Sequence, residues 1–144
     1  MVFKRRSVTE RLKKLEEVLE KLREKANVTL EDYQRNTELQ WMIERGLELA
    51  SSAILDIGNH ILAGMYGISV DEYEEILEKL CEKAVISVAL YQELRGLGGF
   101  RNILVHGYLK LNPELVYKHF KKALSTFPKF IAEIENWLKK QGGS

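Results

Sequence analysis

The chain has 144 residues, of which 45% are hydrophobic and 30% charged, with ten glycines, two prolines and one cysteine. This composition is typical of a single globular domain over residues 1–144, with 1–8 and 141–144 expected to fray, and it excludes a disordered chain and a disulfide scaffold. The formal net charge of +1 excludes a general nucleic-acid coating protein, so we expect any RNA contact to be local. No apolar run reaches membrane-spanning length, and a lone cysteine suits the cytoplasm.

Helical periodicity predicts five helices and no strand. In the first, from about Thr9 to Lys25, leucine and valine recur every three or four residues. Thr29 to Asp32 has the form of a capping box and predicts the start of a second, long helix that ends near Gly64. Apolar residues cover more than one face of its second half, so we expect this helix at the centre of the fold or against a partner.

A second capping box, Ser69 to Glu72, predicts a short third helix. Ser87 is the expected N-cap of a fourth helix that continues towards His106. This segment contains three glycines, which weaken a helix and therefore indicate either a break or a close backbone approach, for example to another subunit: Gly96, Gly98 and Gly99.

The last helix is expected to begin at Asn112 and Pro113, because asparagine is a good N-cap and proline suits the first helical position. Pro128 should kink this helix or end it at Phe127. The predicted fold class is therefore all-α, an up-and-down bundle of four to five helices.

The segment from Gly99 to Tyr108 holds the residues best suited to chemistry. If it is helical, Arg101 and His106 lie about 7.5 Å apart along the axis, a gap that arginine can close, so one phosphate could contact both. Arg101 would offer its guanidinium to phosphate oxygens, and His106 could move a proton near neutral pH. Gly107 is expected to cap the helix with a positive φ, which would place the hydroxyl of Tyr108 just beyond it. Spacing alone also fits a surface arginine, a capping histidine and a core tyrosine.

A polar stripe follows one face of the long second helix, because its members are four residues apart. Such groups either line a wet cleft or form a solvent-exposed row of i,i+4 pairs. Asp56 and His60 could hydrogen-bond each other, but two candidate ligands without a third do not make a metal site, so we expect neither a metal nor a cofactor. His119 is expected at the surface and Cys81 in the core or an interface. The stripe consists of Glu44, Glu48, Ser52, Asp56 and His60.

The run from Arg101 through Asn102 to His106 and Tyr108 resembles the RNxLVHxY signature of HepT-like HEPN proteins, the toxin ribonucleases of HEPN/minimal nucleotidyltransferase toxin–antitoxin pairs. The segment around Asp56 to Ile61 resembles the long second helix of that family, and the resemblance covers roughly residues 10 to 138. It implies an HEPN-like helical bundle that pairs into a homodimer and cleaves RNA without a metal. It also implies that Arg101 and His106 are the catalytic residues.

The resemblance further implies that Asn102 orients the substrate, with Asp56 and His60 on the neighbouring helix. Tyr108 matches the tyrosine to which a nucleotidyltransferase antitoxin transfers AMP, which neutralises the toxin. This chain has Ser52 where the family pattern has a glutamate, a difference that favours one alternative, a non-catalytic nucleotide-binding partner subunit of a minimal nucleotidyltransferase. A purely structural helical dimer is the third possibility.

Overall fold

The computed structural model describes residues 3–107 and 111–142. Within these residues the chain forms α-helices and no strand, so the predicted all-helical fold class is confirmed. The predicted second and fourth helices are each divided in two. The helices are α1 (Arg5–Arg23), α2 (Leu30–Arg35), α3 (Thr37–Tyr66), α4 (Tyr73–Glu82), α5 (Val88–Leu94), α6 (Leu97–His106) and α7 (Pro113–Lys140).

The long helices α1 and α3 pack antiparallel to each other. The backbone N–H of Lys4, directly before α1, donates a hydrogen bond to Nε2 of His60 near the end of α3, at 3.1 Å. At the opposite end of the pair, Leu22 of α1 lies beside Met42, near the start of α3. Because α3 also contacts α4, α6 and α7, it is the central helix that its apolar composition predicts.

The last helix, α7, also runs antiparallel to α1. Arg5 at the start of α1 donates a 2.9 Å hydrogen bond to the carbonyl of Leu138 at the end of α7. Tyr117, near the start of α7, donates from its hydroxyl to the carbonyl of Val28, which follows α1, at 2.7 Å. Aromatic side chains of α7 complete the core between these ends, with Phe120 and Phe130 fully buried.

Asn36 divides the predicted second helix. The capping box at Thr29 is confirmed, since Thr29 Oγ1 accepts from the Asp32 amide and the Asp32 carboxylate accepts from the Thr29 amide. The helix that it opens is short, because Asn36 takes an extended conformation and its side chain accepts from the amide of Leu39 at 3.0 Å. A predicted continuous helix is therefore wrong here, where asparagine ends α2 and caps α3.

Two other capping predictions are confirmed and one is wrong. Ser87 caps α5 by accepting from the amide of Leu90, and Asn112 caps α7. The Ser69 to Glu72 box does not form. Instead, α4 begins at Tyr73 and its N-cap, Glu72, makes no side-chain capping bond.

The ends of the outer helices also differ from their predictions. The first helix starts at Arg5 instead of Thr9 and buries Val8 completely, so the expectation that residues 1–8 fray is wrong for residues 5–8. Pro128 lies inside α7, which continues to Lys140, so the predicted end at Phe127 is wrong. A proline within a helix removes one backbone hydrogen bond, and the burial of this helix outweighs that loss. None of the described helices combines the length and apolarity needed to cross a bilayer.

Ser51 on α3 is fully buried, and in the described structure its Oγ has no hydrogen-bond partner. A buried hydroxyl without a partner costs roughly 1–3 kcal/mol, so Ser51→Ala should raise the free energy of unfolding by about 1 kcal/mol. Urea denaturation would measure this. Ser52→Ala is the matched control and should not raise stability, because Ser52 has a partner, Arg101. A Ser51→Ala variant less stable than the original chain would contradict the prediction.

Candidate active site

The start of α6 is held by a carboxylate from another helix. Gly96, the N-cap of α6, has φ 89°, and no side chain of α6 itself caps the helix. Glu74 of α4 supplies the missing acceptor, taking hydrogen bonds from the amide of Gly96 at 2.7 Å and from the amide of Gly98 at 3.1 Å. A negative charge at the amino end of a helix is favourable both for these free N–H groups and for the helix dipole.

The glycines of this segment have different roles. A Cβ at Gly98 would lie 2.7 Å from the backbone nitrogen of Glu74, so the close contact between α4 and α6 requires a glycine. The predicted close approach therefore occurs at Gly98, between two helices of the same chain. Gly99 is exposed and has nothing within 4 Å of its Cβ position, so no contact within the chain accounts for a glycine there.

Arg101 is half-buried, and the side-chain groups that hold it in the described part of the chain are neutral. Its Nε donates to the Oγ of Ser52 on α3 at 3.4 Å, and one terminal nitrogen donates to the Oδ1 of Asn102 at 3.3 Å. The guanidinium carbon lies 4.7 Å from the ring centroid of Tyr73, the first residue of α4, which is a cation–π contact. Two neighbouring helices therefore fix the side chain without neutralising it.

The charge on Arg101 is available to a ligand. The ion pairs among the described residues do not include Arg101. A carboxylate in place of Ser52 could pair with the guanidinium, whereas the serine hydroxyl only orients it. A planar donor that is positioned but not neutralised suits an oxyanion such as a phosphate.

His106 lies on a different side of α6 from Arg101. Successive helical residues turn by about 100°, so these two residues are separated by about 140° around the axis and about 7.5 Å along it. His106 is the last residue of α6 and is exposed, as is Asn102, which lies between the two in direction. The expectation that Arg101 and His106 contact one phosphate stays a prediction, which requires the long Arg101 side chain to bridge this separation.

Of the two stripe residues predicted to orient substrate, only Asp56 lies near Ser52. It is exposed, one helical turn further along α3. His60 is about 12 Å from Ser52 along the helix axis. Its Nε2 accepts from Lys4, and its ring packs 5.7 Å from that of Phe3. The predicted Asp56–His60 hydrogen bond is absent from the described structure. The His60 side chain instead contacts the N-terminal segment, through Lys4 and Phe3.

The first stripe residues have structural partners. Glu44 accepts from the hydroxyl of buried Tyr33 at 3.5 Å, and Glu48 pairs with Arg45 at 2.9 Å. Burial raises the pKa of Glu44, which the hydrogen bond from Tyr33 partly offsets. Burial and the adjacent Glu44 charge raise the pKa of Tyr33. Glu44 therefore links α3 to α2, whereas the Glu48 ion pair lies within α3.

The end of α6 differs from its predicted form. Gly107 caps the helix, and its amide donates to the carbonyl of Ile103 at 2.7 Å. Its φ is −92°, so the predicted positive φ is wrong. Tyr108, the predicted site of modification, lies outside the described residues. Within those residues, no group of three or more histidine, cysteine, aspartate or glutamate side chains is arranged to hold a metal ion.

Residues 15–134 match the family model described as Ribonuclease HepT-like. The chain belongs to the HepT-like ribonuclease family. A protein of Aphanizomenon flos-aquae named tRNA nuclease HepT is 31% identical over 129 residues, which are 89% of this chain and 87% of that protein. The resemblance inferred from the Arg101 to Tyr108 run is thereby confirmed.

Two solved structures have the same fold as this HepT-like chain. The Bacillus subtilis protein YutE, a cytosolic protein of unknown function, has a TM-score of 0.85 at 23% identity, covering 100% of this chain and 97% of its own. A tri-AMPylated Shewanella oneidensis HEPN toxin, in complex with its MNT antitoxin, has a TM-score of 0.78 at 22% identity, covering 90% of this chain and 96% of its own. At these identities the likeness concerns the fold.

Sequence reasoning missed Tyr73 and Glu74 in this site. Tyr73 is 38% exposed, and its ring lies against the guanidinium of Arg101. Glu74 belongs to an acidic run that resembles a solvated helix start. Neither contact has a local signal, because the partners are more than twenty residues away in the HepT-like chain.

Removing the Glu74 carboxylate should loosen α6. Glu74→Ala leaves the amides of Gly96 and Gly98 without their acceptor, and we expect a loss of about 1–3 kcal/mol in the free energy of unfolding. Hydrogen exchange should speed up most at the α6 amides. Glu75→Ala, an exposed neighbour on the same helix, is the control and should change little. Equal exchange in the two variants would show that Glu74 does not hold α6.

Proposed function

We propose that this HepT-like chain is the toxin of a toxin–antitoxin pair and acts in the cytoplasm as a metal-independent RNA endonuclease. The observation that supports this most is the guanidinium of Arg101, which is oriented by Ser52 and Tyr73 but not neutralised. Such a group can stabilise negative charge that develops on a phosphodiester, an effect worth roughly 3–4 kcal/mol when preorganised.

In the proposed reaction, His106 takes the proton from a ribose 2′-hydroxyl. The freed oxygen attacks the adjacent phosphorus, the bond to the 5′-oxygen breaks, and that oxygen leaves with a proton delivered by an acid, either a histidine or water. The products are a 2′,3′-cyclic phosphate and a free 5′-hydroxyl. Arg101 contacts the phosphate oxygens, and the exposed amide of Asn102 orients the substrate between the two residues.

We propose that the active unit is a homodimer. Arg101 and His106 are on different sides of α6 within one chain. In a groove between two copies, one phosphate could contact Arg101 of one copy and His106 of the other. Two features of α6 suit a partner. Exposed Gly99 leaves the helix backbone open to close approach, and Ile103, one turn further, is 44% exposed. A two-fold pair would bring both motif helices to one shared groove.

Two further elements follow from the relatives. The Aphanizomenon protein is named as a tRNA nuclease, so tRNA is the substrate to test first. The Shewanella toxin is AMPylated and bound to an MNT antitoxin. We infer that a minimal nucleotidyltransferase neutralises this chain by transferring AMP to Tyr108. The added negative charge and bulk would compete with RNA for the phosphate site at Arg101.

Replacing either motif residue should abolish cleavage. Arg101→Ala and His106→Ala should each reduce the rate of RNA cleavage at least a hundredfold, while the original chain keeps its rate in EDTA. Gel analysis of labelled tRNA after incubation would measure this. Arg35→Ala, which changes an exposed arginine on α2, is the control. Cleavage by both motif variants at the original rate would rule out the assignment.

Incubation with ATP and the partner nucleotidyltransferase should add AMP to Tyr108. Intact-mass and peptide mass spectrometry would detect the adduct, and the modified protein should lose RNA cleavage because the site carries additional negative charge. Tyr108→Phe should keep cleavage and resist modification. An adduct on another residue, with Tyr108 unmodified, would contradict the proposal.

One observation favours the non-catalytic alternative, a nucleotide-binding partner subunit. In a single chain, His106 begins about 140° around α6 from Arg101, which suits phosphate binding at Arg101 better than proton transfer there. AMP binding that depends on Arg101, together with no RNA cleavage by the dimer, would decide for this alternative.

A further inference from the structure

Three exposed basic residues lie beside α6 on the side of the helix that Phe100 faces, a different side from Arg101. Arg95 directly follows α5, and Lys118 and Lys122 are one turn apart on α7. Arg95 and Lys122 line the same shallow cleft, whose floor includes Phe100 of α6. Together these three residues form a basic strip.

The basic strip has no acidic partner in the described structure. The ion pairs among those residues include none of its three members. Glu93, an acid in the same cleft, is bound through both carboxylate oxygens by Lys129, at 3.1 and 3.2 Å. Arg95 donates only to the side-chain oxygen of Gln92 at 3.3 Å. The strip therefore has a local positive charge that the net charge of +1 conceals.

His119 lies within this positive surface. It is half-buried, and burial, followed by the charges of Lys122 and Lys118, lowers its pKa. This corrects the expectation that His119 is a simple surface residue. Its imidazole stacks on the ring of Phe100, with centroids 3.9 Å apart and an interplanar angle of 15°. The stack fixes the part of α7 that carries the strip against α6.

The strip is placed to continue the candidate active site. Phe100 immediately precedes Arg101, and the two side chains point about 100° apart around α6. Arg101 faces α3 and α4, whereas Phe100 faces α7 and the strip. A helix with its side chains is about 10–12 Å across, so RNA extending a few nucleotides beyond the reacting bond could reach both sides.

We propose that the basic strip binds phosphates of the RNA substrate that flank the cleaved bond. This rests on the proposed function, and it assigns to Arg95, Lys118 and Lys122 a role in affinity and not in chemistry. Flexible lysines that touch phosphates without reading bases suit such a role. A protein partner is less favoured, because lysine is depleted at the centre of protein–protein interfaces.

The test compares two double variants in a His106→Ala background that cannot cleave its ligand. Lys118→Gln with Lys122→Gln removes two charges from the strip. Lys139→Gln with Lys140→Gln removes two charges from the same helix, about 30 Å away along its axis. Binding of a fluorescent single-stranded RNA is measured by anisotropy over a range of salt concentrations, after circular dichroism shows equal helix content.

The strip variant should bind RNA roughly fivefold to tenfold more weakly at low salt. The slope of the logarithm of the association constant against the logarithm of the salt concentration should become less steep by about 1.4, or 0.7 for each lost phosphate contact. The control should keep the affinity and slope of the background chain. Equal losses in both variants, or no loss in the strip variant, would overturn the proposal. So would a strip variant that binds RNA normally but no longer binds the nucleotidyltransferase.

Failure of the two proposals is distinguishable. If the original chain cleaves no RNA but strip-dependent binding is observed, the ribonuclease proposal fails and the strip stands only as an RNA-binding surface. If the chain cleaves RNA and the strip variant binds as the control does, the strip fails and the ribonuclease proposal stands.

Discussion

The site depends on one constraint, a half-buried guanidinium that has no acidic partner within residues 3–107 and 111–142. For the proposed phosphate binding, Arg101 must be held in place, since a free side chain would lose conformational entropy on binding a phosphate. It must also keep its charge, because a salt bridge would compete with the ligand. The structure satisfies both requirements with a hydroxyl from Ser52 and the ring face of Tyr73.

The packing of α4 against α6 makes this arrangement possible. Tyr73 and Glu74 are consecutive residues at the start of α4, and they bind two different parts of α6. Glu74 fixes the helix through the backbone of Gly96 and Gly98, while Tyr73 lies under the side chain of Arg101. Because Gly98 allows the two backbones to approach, the position of the guanidinium follows from how these helices dock.

The helical fold and most of the helix caps could be predicted from the sequence. Caps such as Thr29, Ser87 and Asn112 are recognisable because their hydrogen bonds lie within three residues. The break at Asn36 was missed because apolar periodicity continues on both sides of it. At Pro128 the reverse holds, since tertiary burial of α7 overrides the local preference of proline.

The residues of the candidate site come from a sequence motif, whereas their surroundings depend on how other helices pack. The Arg101–His106 spacing predicted that both residues share one helix, which is α6, and a separation of five residues turns the two side chains about 140° apart. The partners of Arg101 come from α3 and α4, and no local pattern could indicate them. His60 was assigned to the site from its polar spacing alone. The spacing could not show that Lys4 and Phe3 contact the His60 side chain.

The most direct measurement of the central claim is a crystal structure of the protein with a 2′-deoxy dinucleotide, which retains the phosphodiester but cannot be cleaved. We expect the phosphate oxygens within about 3 Å of the Arg101 guanidinium, with the ring of His106 from one copy or the other beside the 2′ position. A phosphate bound elsewhere, with Arg101 still directed only to Ser52, Asn102 and Tyr73, would contradict the account.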